Sequence, residues 1–228
     1  MRGLEAMAFG LSLGLAAAGV AAAPAADKPP RLIPSWKQSH LEQGNQSVQS
    51  IYKLAACARV QRREAAEAVL DSVPGSAEER SRMAVAVPAG FKGCPIRVRR
   101  LKIRNFVLMR GALAEALYNG DRVRPRAAAL PAAEAGPPSG NGSALAVARR
   151  VARCAVSRNP GLAHEVVKYN FGSIGEGRAL RSLKPAFTAC LPPGERLVIS
   201  RLNIRALLAE ELYRASVTFK ESFANAQG

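Results

Sequence analysis

Apolar positions recur three and four residues apart along most of the chain, the period of an amphipathic helix. Over residues 47–60, Val48, Ile51, Tyr52, Ala55 and Cys57 fall near that spacing, and Ser47 is placed to cap the helix. A second helix is predicted over 64–73 and ends at Pro74 and Gly75. Ser76 followed by Glu79 has the form of a capping box and opens a third helix that stops before Pro88. A fourth, over 105–119, sets Val107, Leu108, Met109, Leu113, Ala116 and Leu117 on one broad apolar face. The plan then starts again: Ser143 caps the next helix and Pro160 opens the one after it. Three glycines, Gly172, Gly175 and Gly177, predict a loose turn. Alternation in Ile96-Arg-Val98 and Leu197-Val-Ile199 allows one short strand in each half. The fold class expected is all-α.

The restart is more than a similarity of plan. Arg110-Gly-Ala-Leu-Ala-Glu-Ala-Leu-Tyr118 matches Arg205-Ala-Leu-Leu-Ala-Glu-Glu-Leu-Tyr213 almost residue for residue. Cys57-Ala-Arg aligns with Cys154-Ala-Val, and Phe91-Lys-Gly-Cys94 with Phe187-Thr-Ala-Cys190. Self-similarity at a fixed period is the signature of a repeated unit, here about seventy residues long. The organisation expected is a signal peptide (1–25), a Pro-containing arm (26–46) and a first repeat (47–120). A Pro/Gly/Ser linker (121–143) and a second repeat (144–228) follow. Such a linker predicts that most of the damage to one core stays out of the other.

Four cysteines allow three pairings, and the repeat selects among them. One internal bridge per unit means Cys57–Cys94 and Cys154–Cys190. Each would constrain a small core that is marginal by itself. No Cys-x-x-Cys occurs, and neither His40 nor His164 stands at ligand spacing from a cysteine. His164 reads as an exposed helical position, and Trp36 as a ring that docks the arm onto its own domain.

The first residues give the cysteines their compartment. Arg2, an apolar run over 6–23, and small residues leading into Pro24 have the layout of a secretory signal peptide. Export to a bacterial periplasm or beyond permits disulfides. The Ala/Arg/Gly/Pro-rich composition agrees with a GC-rich bacterial genome. No cysteine follows the apolar run, which speaks against a lipoprotein.

Charge is the remaining feature. Lys and Arg number 33 against 17 Asp and Glu, a formal charge of +16. The excess is +7 in each repeat, so it does not come from a tail. The densest cluster is Arg97, Arg99, Arg100, Lys102 and Arg104, whose counterpart around Glu195–Arg201 is nearly neutral. Arg149, Arg150 and Arg153 form a second run where the first repeat offers only Lys53. A shared fold does not require features present in one copy alone, so these eight residues are the candidate anion-binding groups. Arginine suits that role through planar, bidentate contacts.

No motif for nucleotides, metals or nucleophilic catalysis is present, so no cofactor and no metal is expected. The expectation is a non-enzymatic exported protein that binds an anionic envelope component or an acidic protein. Two alternatives remain. An enzyme acting on an envelope polymer would use Glu115 and Glu210, brought together as paired carboxylates, or Glu165. Binding of nucleic acid outside the cell fits the charge, but export and the lack of aromatics among the arginines disfavour it.

Overall fold

A computed structural model describes residues 31–34, 41–88, 91, 93–94, 106–120, 143–192 and 194–225. The signal segment, Trp36, His40, residues 96–98 and the linker over 121–142 lie outside the described residues.

Eight helices and two short strands make up the described chain. They run β1 (Arg31–Pro34), α1 (Leu41–Gln61), α2 (Arg63–Asp71), α3 (Ala77–Ala86) and α4 (Phe106–Gly120). Then come α5 (Ala144–Arg158), α6 (Pro160–Lys168), α7 (Ile174–Ala189), β2 (Arg196–Ile199) and α8 (Arg201–Asn225). None of the helices is long and apolar enough to cross a membrane, among the described residues.

The local signals explain most of these limits. Ser76 Oγ accepts the Glu79 backbone N–H at 3.0 Å, and Ser173 Oγ accepts that of Glu176 at 3.1 Å. Both glutamates reach back to a glycine amide, Gly75 at 2.6 Å and Gly172 at 2.7 Å. The capping boxes at the starts of α3 and α7 are therefore built alike. Ser143 caps α5 as expected, and Pro160 opens α6.

Two expectations are corrected and a third is extended. The first helix starts at Leu41, not at Ser47, so it reaches into the segment read as an arm. Leu41, Glu42 and Gln43 are good helix formers and extend it backwards. The Gly-rich turn after Asn170 is short, because the Ser173 cap draws Gly175 and Gly177 into α7. Leu197 to Ile199 does lie in a strand, but the partner of β2 is β1, paired in parallel register Arg31 with Arg196.

Both cysteine pairings hold. Cys57 is bonded to Cys94 and Cys154 to Cys190, with Cα atoms 6.0 and 5.8 Å apart. Packing also follows one plan in the two halves: α1 lies on α4 as α5 lies on α8, and α2–α3 pairs as α6–α7 does.

The halves do not have separate cores. α4 and α8 form the most extensive helix contact, and one apolar cluster runs from Leu54 through Leu113 and Leu117 to Leu208 and Leu212. The expectation that the linker insulates one half from the other is thus overturned. The two central helices are buried nearly all round, so neither half can shield its own without the other. They cross at Gly111. A Cβ placed there would lie 2.3 Å from the Ala206 Cα, a separation that only glycine permits.

Candidate functional site

Two buried arginines organise the polar interior. Arg110 on α4 donates through Nε to Glu210 at 2.8 Å, and its other nitrogens bond the Val69 and Leu70 carbonyls at the end of α2, at 2.6 and 2.5 Å. Glu79 stands 3.2 Å from the same guanidinium. Arg205 on α8 does the reciprocal work. It forms a bidentate pair with Glu115 at 2.8 and 2.6 Å and bonds the Val166 and Val167 carbonyls at the end of α6. Glu176 lies 3.2 Å away. Each arginine therefore satisfies helix-end carbonyls in its own half and a carboxylate from the other.

Glu115 and Glu210 are not brought together; each belongs to its own cluster. The clusters differ around their carboxylates. Glu210 accepts from Arg110, from Arg149 at 2.6 Å and from Arg214 at 2.7 Å. Burial pushes its pKa up, but the three guanidinium charges outweigh this and hold it below the ordinary value of 4.5. Glu115 has one arginine. Burial pushes its pKa up, Arg205 opposes, and Glu176 adds like charge, leaving it above the ordinary value.

A cleft of about 420 Å³ opens beside Glu115. Tyr52, Lys53, Asn119, Lys168, Tyr169 and Phe171 line it together with Arg205. Tyr52 stacks on Phe171 with ring centroids 6.3 Å apart, and the Arg205 guanidinium sits over the Tyr52 ring at 5.5 Å. The Tyr52 hydroxyl is buried and makes no hydrogen bond of ordinary geometry among the described residues. Burial pushes its pKa well up. A second hollow of about 270 Å³ adjoins the cleft along Ala56, Ala112, Ala116 and Gly120.

The candidate anion-binding residues divide between two places. Arg97, Arg99, Arg100, Lys102 and Arg104 lie outside the described residues. Arg149 is bonded to Glu210, and Arg153 to Glu211 at 3.0 Å, so the charge of both faces internal carboxylates. Arg150 is half-buried on the same helix. His164 is not the exposed position expected: its Nδ1 shares a 3.0 Å hydrogen bond with the Tyr118 hydroxyl, and the rings meet edge to face.

Sequence reasoning passed over Tyr52 as one more apolar position of α1. It also missed Glu79 and Glu176 as partners of the buried arginines. A signal did exist, since both follow a Gly-Ser pair that recurs at matching places. Among the described residues no group of three or more His, Cys, Asp or Glu could hold a metal ion.

Fold and site together define a helical, disulfide-stapled protein with an aromatic-walled cleft beside a buried carboxylate. No protein-family model matches the chain, and neither a curated protein nor a solved structure is significantly similar to it.

Proposed function

We propose that this is an exported, non-enzymatic binding protein, a tandem duplication of a stapled helical unit whose positive surface holds an anionic partner. One observation carries the reading. Of 17 acidic residues, Glu79, Glu115, Glu176, Glu210 and Glu211 are buried, whereas of 33 basic residues only Arg110 and Arg205 are, among the described residues. The charge left on the outside is therefore mostly positive, even though Arg149, Arg153, Arg201 and Arg214 are paired with the buried carboxylates. A field of that sign steers and holds polyanions. The two disulfides and the apolar leader support an oxidising compartment. Anionic lipopolysaccharide, acidic polysaccharide or an acidic protein are the partners available there.

The duplication rests on the matched cysteine pairs, the matched capping boxes and the reciprocal arginines. Catalysis through Glu115 is less well supported, because Arg205 holds both carboxylate oxygens and leaves neither poised for proton transfer.

Binding to lipopolysaccharide vesicles and to immobilised acidic envelope proteins, measured at rising salt, tests the reading. It predicts affinity that falls steeply with salt and drops again in an Arg97/Arg99/Arg100 triple alanine variant. Binding to neither, or binding indifferent to salt, overturns it.

A further inference from the structure

The matched motifs allow the two carboxylate clusters to be compared position by position. Counting from Cys57 and Cys154, Tyr52 stands where Arg149 stands in the second half, and Ala56 stands where Arg153 does. Counting from Glu115 and Glu210, Ala116 stands in the place of Glu211 and Asn119 in that of Arg214. In the second half these four positions are occupied by the groups that close over Glu210: Arg149 and Arg214 bond it, and Arg153 pairs with Glu211 beside it. In the first half the same four positions line the cleft and the adjoining hollow. The open space beside Glu115 is the volume that two guanidinium groups and an ion pair fill beside Glu210.

The surroundings indicate what would fill it. Glu115 uses one lone-pair direction on each oxygen for Arg205, and a carboxylate can accept about four bonds. Glu210 accepts three. Tyr52, Tyr169 and Phe171 wall the cleft, and Arg205 already lies over the Tyr52 ring, so these walls accept a planar cation. Lys53 and Lys168 also line the cleft and would favour an anion, but the Lys168 ammonium is bonded to Glu165 at 3.1 Å and lies over the Tyr169 ring.

We propose that the cleft beside Glu115 is a guanidinium-binding site, taking from a ligand the cation that Arg149 and Arg214 supply to Glu210 within the chain. The guanidinium belongs either to a free arginine-like molecule or to an arginine side chain of a partner. The inference does not depend on the basic surface.

Titration calorimetry on the full-length oxidised protein tests it with free L-arginine and with N-acetyl-arginine amide, the second standing for a peptide-borne side chain. N-acetyl-lysine amide and N-acetyl-glutamate amide serve as comparisons. Saturable binding of either arginine probe, at least tenfold tighter than the lysine and glutamate probes, is expected. Which arginine probe binds distinguishes the two sources. Tyr52→Arg builds the missing guanidinium into the chain and should weaken binding at least tenfold. The Ala56→Arg/Ala116→Glu double variant rebuilds the neighbouring ion pair and should do the same without touching Glu115 or Tyr52. Thermal melts report whether each variant folds, and either folded variant suffices. No binding of either arginine probe, equal binding of the lysine probe, tighter binding of the glutamate probe, or full affinity in a folded variant overturns the proposal.

Discussion

Glu115 and Glu210 occupy the same place in the Leu-Ala-Glu-x-Leu-Tyr motif of the two central helices, and both face a buried arginine from the opposite half. Around Glu210 the second half adds Arg149 and Arg214, and the carboxylate is held in its charged form. Around Glu115 the first half adds Tyr52 and Asn119, and space is left. The comparison separates what the scaffold needs from what it merely allows. One arginine per carboxylate suffices to join the halves and to occupy the carbonyls at the ends of α2 and α6. The second and third arginines are extra, and their absence in one half is what opens a cleft.

Removing Glu210 should have the largest effect. Glu210→Gln leaves Arg110 buried and sets three cations against each other, and loss of one partner from a buried ion cluster costs about 3–5 kcal/mol. Glu115→Gln should cost less in the same urea titration: each buried arginine keeps a second glutamate and two carbonyls, but only the loss of Glu210 also strands Arg149 and Arg214. The two variants should also differ in pH dependence. The Glu210 pKa is lowered on folding, so its stabilisation is present above the ordinary 4.5 and is lost as pH falls below it. The Glu115 pKa is raised, so its contribution is fullest at low pH and is partly withdrawn as pH rises past 4.5. The deficit of Glu210→Gln relative to wild type should therefore grow from pH 3 to pH 6, and that of Glu115→Gln should shrink.

Gly111→Val attacks the joint between the clusters. Because the clash is with the Ala206 backbone, the cost should be about 3 kcal/mol or more, and both halves should still unfold in a single transition in calorimetry, because they share one core. Two transitions would restore the picture of independent halves. Ser76→Ala and Ser173→Ala should each cost about 1 kcal/mol in denaturant titrations, and similar amounts, because the capping boxes are built alike. Smallest of all is Arg153→Ala, which gives the second half the alanine found in the first. With that side chain 59% exposed, the melt should show a loss of about 0.5 kcal/mol or less.

The contrast also marks what could be read from the chain alone. Disulfide pairing, the Ser76 and Ser143 caps, Pro160 at the start of α6 and the extent of the last helix of the first half were all legible, because each depends on residues close in sequence or on a repeated spacing. The reciprocal pairs Arg110–Glu210 and Arg205–Glu115 were not. Presence of the same Arg and Glu in both motifs marks them as scaffold that pairs with neighbouring helices or caps loops, but their particular partners are distant in sequence and belong to different halves. Tyr52 packs against the core as its helical spacing indicates, and its second role, as a wall of the cleft, shows only when the position matching it is found to hold Arg149. Pairing of β2 with β1 was hidden because the prolines of the arm outweighed the alternation in Arg31-Leu-Ile-Pro34.

The central claim is that matching carboxylates have unlike electrostatic surroundings because one half lacks two arginines. Carbon-detected NMR titration of Glu115 and Glu210, in the wild-type protein and in Tyr52→Arg, tests it most directly. Glu115 should titrate above 4.5 and Glu210 below it, and Tyr52→Arg should move Glu115 down towards Glu210 while leaving Glu210 in place. Coincident titration of the two carboxyl groups in the wild type, or a Glu115 midpoint unmoved by Tyr52→Arg in a folded protein, would contradict it.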